Sequence, residues 1–161
     1  MYEVSYDRQT AVSYAKEWAY KRNPKYYNFD KIGGDCTNFI SQCLYAGSGV
    51  MNPKKLFGWN YYSTNNRTPS WSGVSYLYNF LINNNKIGPF AEETEKYYVM
   101  PGDILQLGNS DGTFYHSQIV VKVYDDEIFI ATHTEDDYMR PLSTYIYDEV
   151  RFLSILGVRR N

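Results

Sequence analysis

Apolar positions recur at helical spacing in the first half of the chain and at strand spacing in the second. The sharpest stripe is Cys36, Phe39, Ile40 and Cys43, at i, i+3, i+4 and i+7. It predicts an amphipathic helix whose first residue, Cys36, lies on the buried side. Gly33 and Gly34 permit a sharp backbone entry. Asp35 takes the N-cap position, where a carboxylate accepts from a first-turn amide, and Gly47 takes the C-cap. An earlier stripe, Ala11, Tyr14, Ala15, Trp18 and Ala19, predicts a helix over 6–22, stopped at Asn23-Pro24. A third, Val74, Leu77, Tyr78 and Leu81, predicts a helix from Trp71-Ser72 to the run Asn83-Asn84-Asn85. The aromatic segment 25–32 reads as a loop. So does 47–70, a length usual for functional or disordered segments. Residues 87–100 carry no clear period.

Strands follow. Segment 103–107 enters through Pro101-Gly102, and the cluster Gly108-Asn109-Ser110-Asp111-Gly112 turns the chain. Segment 113–124 is the strongest strand, Asp125-Asp126 a tight turn, and 127–133 its partner. A last strand lies within 150–159, with another near 145–147. Helices first and a strand meander after predict an α+β fold, with helices packed on an antiparallel sheet.

The two histidines of the chain fall on the two consecutive strands. Pairing across Asp125-Asp126 sets Tyr124 against Glu127, Val123 against Ile128 and Gln118 against His133. Side chains alternate between faces. In this register His116, Gln118, Val120 and Lys122 share a face with Phe129, Ala131 and His133. His133 then sits diagonally from His116, roughly 7–8 Å away between backbones, and an odd insertion would undo this. A cysteine at a helix N-terminus, a histidine on a strand and a polar group on the next strand form a nucleophile, a base and an orienter. A free thiol is only about 3% ionised at pH 7 if its pKa is about 8.5, and the helix dipole favours the thiolate.

Composition narrows the classes. The 161 residues fit one domain, 1–161, with a substantial core. A net charge of −2 gives no electrostatic case for nucleic acid. No apolar run approaches the roughly 20 residues of a membrane span. Residues 1–6 lack the basic and apolar regions of a signal peptide, so the expectation is a cytosolic protein or a domain of a longer secreted one. The 18 tyrosines suit a sugar- or peptide-binding surface as well as the edges of a core. Cys36 and Cys43 sit about 10.5 Å apart along a helix. That is too far for a disulfide or a shared zinc, so no metal or cofactor is expected. Cys43, mid-helix, reads as a buried apolar residue.

The run Gly33-Gly34-Asp35-Cys36-Thr37-Asn38-Phe39-Ile40-Ser41-Gln42 resembles the putative amidase domain family of bacterial cell-wall and spore-former proteins. So do Tyr6-Asp7-Arg8, Arg22-Asn23-Pro24, the Trp71 helix, Gly102-Asp103-Ile104-Leu105-Gln106 and His116-Ser117-Gln118-Ile119-Val120. The resemblance covers nearly the whole chain. That family is similar to the papain-like group of NlpC/P60 and CHAP amidases. The resemblance implies a papain-like α+β fold and amide cleavage through a thioester. Cys36 is then the nucleophile and His116 the base. The third position falls on His133, with Glu135 and Asp136 as alternatives. The Cys36 N–H would hold the oxyanion, helped by Tyr27 or Tyr26, with Asp35 a cap and a contact for substrate amines. It further implies a peptidoglycan stem peptide or cross-link as substrate and a secreted or surface parent. Two rivals remain open. One is an acyltransferase or transamidase using the same thiol. The other is a non-catalytic wall-binding module, in which the aromatic loop grips cell-wall sugars and the thiol is inert; in the amidase reading Trp59, Tyr61, Tyr62 and Trp71 are candidate walls of the cleft.

Overall fold

The computed structural model describes residues 1–161 and begins with a strand that the apolar pattern does not mark, β1 (Tyr2–Val4). Helix α1 (Arg8–Trp18) is capped by Asp7, whose carboxylate accepts from the Thr10 amide at 3.0 Å. It is shorter than the expected 6–22, because the Trp18 carbonyl is turned to a ring nitrogen of His133, 2.8 Å away. Helix α2 (Cys36–Ser48) starts where the stripe predicts but runs past Gly47 to Gly49, which takes the left-handed C-cap at φ 69°. Gly47 marks a close approach instead: a Cβ there would collide with the Tyr6 ring.

The expected loop 47–70 is ordered by a small hairpin, β2 (Tyr61–Ser63) and β3 (Asn66–Arg67). The predicted third helix is split at Gly73, whose ψ of 130° is extended, into α3 (Pro69–Ser72) and α4 (Val74–Asn83). The strands are β4 (Gly88–Thr94), β5 (Ile104–Gly108), β6 (Phe114–Tyr124), β7 (Glu127–Thr132), β8 (Asp137–Pro141) and β9 (Glu149–Arg160). No strand forms at 145–147. The strand after β7 is β8. The sheet order is β1-β9-β5-β6-β7-β8, with β4 also on β9, and every pair is antiparallel. The architecture is therefore α+β.

Each face of the sheet has its own apolar cluster. Ile104, Ile119, Val121, Ala131 and Leu153 pack under Phe39, Ile40, Cys43 and Leu44 of α2. Leu105, Leu107, Val120, Ile128 and Ile130 form the opposite face, covered by Val99 and Leu142. Burying each such side chain contributes about 1.5–3 kcal/mol. Trp59 and Trp71 are fully buried in the helix-side cluster, so they are core and not cleft walls. Asp103, also fully buried, ties three segments together: it accepts from Arg8 Nη1 at 2.7 Å, the Ile155 amide at 2.9 Å and the Met100 amide at 2.8 Å. No helix is long and apolar enough to cross a membrane.

The register of β6 on β7 decides the site. Tyr124 faces Glu127 and Val123 faces Ile128, as the tight turn predicts, with Asp125 and Asp126 both at positive φ. Lys122 then faces Phe129, but Val120 faces Ile130, so one extra residue is accommodated at Val121. A bulge of one residue exchanges the faces of everything beyond it. His116, Gln118 and Val120 now share a face with Ile130 and Thr132. His133, just past the end of β7, turns to the helices.

Candidate active site

Cys36 opens α2, nearly buried at 7% exposure, and its thiol is free. The Thr37 hydroxyl lies 3.7 Å from Sγ. Behind Thr37 runs a chain of polar groups. Thr37 Oγ1 meets Ser117 Oγ at 2.9 Å, and Gln106 Nε2 donates to Ser117 Oγ at 3.1 Å. Arg151 donates to Gln106 Oε1 from Nε at 2.9 Å and Nη2 at 2.7 Å. Arginine only donates, so it fixes which end of the Gln106 amide faces Ser117.

Cys36 and His116 line one cleft of about 440 Å³, with Tyr115, Tyr145, Glu135 and Arg140 among its other walls. His116 Nε2 lies 3.1 Å from Thr132 Oγ1. That hydroxyl has the Ser117 carbonyl at 3.0 Å and the His133 carbonyl at 2.9 Å as acceptors for its one proton. It therefore accepts from His116, which carries its proton on Nε2. Nδ1 is left unprotonated, the form a base requires.

Burial sets the charge states. It pushes the Cys36 thiol above its ordinary pKa and the His116 imidazole down to about 4. Desolvation disfavours the charged form of both. The cleft at rest holds a neutral thiol and a neutral imidazole, and burial outweighs the helix dipole, which favours thiolate. Cys43, fully buried in the core, has its thiol pushed up more strongly by the same cause, as suits a residue used for packing.

The structure does not bring His133 to His116. His133 Nδ1 donates to Asp35 Oδ2 at 2.6 Å, and Nε2 donates to the Trp18 carbonyl at 2.8 Å. Both nitrogens are committed, and the ring stacks on Phe39 with centroids 3.9 Å apart. Asp35 does not cap α2 with its side chain. Its Oδ1 accepts from the Phe29 amide at 2.8 Å and from Asn38 Nδ2 at 2.9 Å. Asp35 and His133 thus join α1, α2 and the end of β7 in one buried clamp.

Tyr27 and Tyr26 are absent from the cleft. The Tyr27 amide donates to the Tyr61 hydroxyl at 2.8 Å and its carbonyl accepts from Asn38 at 2.9 Å. Tyr26 packs in the aromatic cluster, stacked on Trp71 at 5.9 Å. The cleft's tyrosines are Tyr115, next to His116 in the chain, and Tyr145. Asp136 is paired with Arg22 at 2.9 Å, whereas Glu135 opens on the cleft. Thr132 was missed because its role depends on the bulge at Val121. No cluster of three His, Cys, Asp or Glu side chains is placed to hold a metal ion.

Comparison with known proteins gives two findings. The family model described as "Putative amidase domain" matches residues 5–156. The chain is also similar to a Bacillus subtilis (strain 168) protein described as "Uncharacterized protein YhbB", 37% identical over 140 residues, which cover 84% of this chain and 43% of that protein. The chain thus spans less than half the length of this curated relative. No solved structure gives a significant match.

Proposed function

The chain belongs to the Putative amidase domain family, and from that premise we propose that it is a cysteine-dependent hydrolase of amide bonds. The observation that carries the reading is the pairing in one cleft of Cys36 with a His116 whose Nδ1 is left free by the Thr132 contact. His116 Nδ1 takes the thiol proton as Sγ attacks the amide carbonyl. The resulting oxyanion is held by the Cys36 N–H, which has no acceptor within the protein, and by the positive end of α2. The C–N bond breaks, His116 returns the proton to the leaving amine, and a thioester remains. Water, deprotonated by the same imidazole, then releases the acid. Thr132 holds the tautomer in the place where an NlpC/P60-like relative has a histidine, asparagine, glutamine or glutamate. On this reading the fold is papain-like, the substrate is a peptidoglycan peptide, and the domain acts at the cell surface within a longer protein.

Mass spectrometry of the protein after quenching with peptidoglycan fragments tests it. The expected result is a thioester on Cys36 and release of soluble peptide, both lost in Cys36→Ala. Undiminished release by Cys36→Ala sinks the proposal. An amine-linked product in place of the acid would make the protein a transamidase. A sugar-gripping role has one observation in its favour: exposed Phe57 and Tyr76 flank a separate cavity of about 490 Å³. Binding to cell walls that survives Cys36→Ala and falls with Phe57→Ala would reveal it.

A further inference from the structure

The charges around the cleft are unequal. Two of its lining residues are of charged types, the half-buried Arg140 and the exposed Glu135. Arg140 is spent: Nη1 pairs with Asp137 at 2.9 Å, Nε donates to Thr144 Oγ1 at 2.8 Å, Nη2 donates to the Thr144 carbonyl at 3.1 Å, and the guanidinium lies 3.8 Å from the Tyr145 ring centroid. Glu135 has neither an ion pair nor a hydrogen bond within the protein, although it belongs to the same hairpin. The cleft therefore presents one uncompensated negative charge to whatever enters it.

The backbone that carries Glu135 is strained. Thr134 and Glu135 sit at φ 65° and 55° in the turn between β7 and β8. Such turns favour Asn-Gly, which adopts positive φ with little strain, and a β-branched threonine there is an outlier. Outliers of this kind cluster at ligand clamps. Thr134 also has a visible task. Its hydroxyl accepts from the Asp35 amide at 3.2 Å, and it lies 3.3 Å from where a Cβ on Gly34 would stand. The tip is pinned to the backbone that leads into Cys36, so the backbone of Glu135 stays at the mouth of the cleft that holds the thiol.

We propose that Glu135 is a specificity residue that selects substrates bearing an ammonium group beside the scissile amide, such as a free N-terminus or the side-chain amine of a diamino acid. The substrate class rests on the reading of Cys36 as nucleophile, but the field of Glu135 at the thiol does not. It is tested without turnover, by the rates at which Cys36 is modified by two methanethiosulfonates of similar size, one trimethylammonium and one sulfonate. In each reaction the thiolate forms a disulfide and expels methanesulfinate. Peptide-resolved mass spectrometry separates Cys36 from Cys43. The cationic-to-anionic rate ratio is expected to fall about tenfold in Glu135→Gln and further in Glu135→Lys, with the melting temperature of Glu135→Gln unchanged. A ratio that does not move in either variant overturns the proposal. So does a Cys36 that neither reagent reaches in the folded protein. In hydrolysis, acetylating the substrate amine should lower kcat/KM about tenfold in the wild type and leave Glu135→Gln indifferent. Equal discrimination in both proteins would likewise overturn it.

Discussion

His116 and His133 lie seventeen residues apart on either side of one hairpin, yet their surroundings are opposites. His116 has one nitrogen held by a neutral hydroxyl and the other without a partner in the protein, and it lines the cleft that Cys36 also lines. His133 has both nitrogens bonded, to a carboxylate and a helix carbonyl, and a ring face covered by Phe39. In the proposed mechanism the first moves a proton, whereas the second holds three elements together. The difference comes from backbone geometry: a single extra residue at Val121 sends the two imidazoles to opposite faces. Residue type and spacing nominate chemistry, and strand register assigns it.

The comparison can be broken most forcefully by removing each ring. His116→Ala should lower kcat/KM by roughly 10³-fold, about 4 kcal/mol of barrier, with little change in melting temperature. His133→Ala should do the reverse. It leaves Asp35 buried without its closest partner, at a cost of about 3 kcal/mol of stability, read by chemical denaturation, while the folded fraction keeps most of its activity. If the two variants behave alike, the division of labour is wrong.

A smaller change sharpens the contrast. Thr132→Val keeps the shape but removes the acceptor that fixes the His116 tautomer. Activity should drop roughly 10- to 100-fold, with stability altered by about 1 kcal/mol. The acid dependence is of similar size. Burial places the His116 pKa near 4, below its ordinary 6.5. Between those values the unfolded chain binds the proton and the folded one does not, so stability falls as pH drops from 6.5 towards 4. Allowing for the partial exposure of the ring, the loss is about 2 kcal/mol. It should vanish in His116→Gln when unfolding is followed across that range, and the acid limb of kcat/KM should lie near 4 rather than 6.5.

Much of this was legible in the chain. The stripe from Cys36 to Cys43 announced α2 and its leading thiol, because helical periodicity is local. The turn at Asp125-Asp126 and the first two pairs of the hairpin also followed from local chemistry. What escaped reading depends on distant partners. β1 and β4 exist because β9 is there to pair with them, and nothing in Gly88–Thr94 says so. The bulge at Val121 has no glycine to mark it, so Thr132 stayed hidden and His133 took its place. Asp35 sits at a cap position by sequence, but its carboxylate is drawn to Phe29, Asn38 and His133, none of which the helix pattern reveals.

The buried tryptophans have an optical consequence. Trp59 and Trp71 lie with ring centroids 4.9 Å apart and planes inclined at 33°. Each indole N–H is anchored on the helix that begins with the thiol, Trp59 to Ser41 Oγ at 3.0 Å and Trp71 to Asn38 Oδ1 at 3.0 Å. Two transition dipoles this close couple and split their absorption into a pair of circular-dichroism bands of opposite sign. A tilt of that helix by a few degrees would change their amplitude, giving a label-free spectroscopic gauge of where Cys36 stands as a ligand enters.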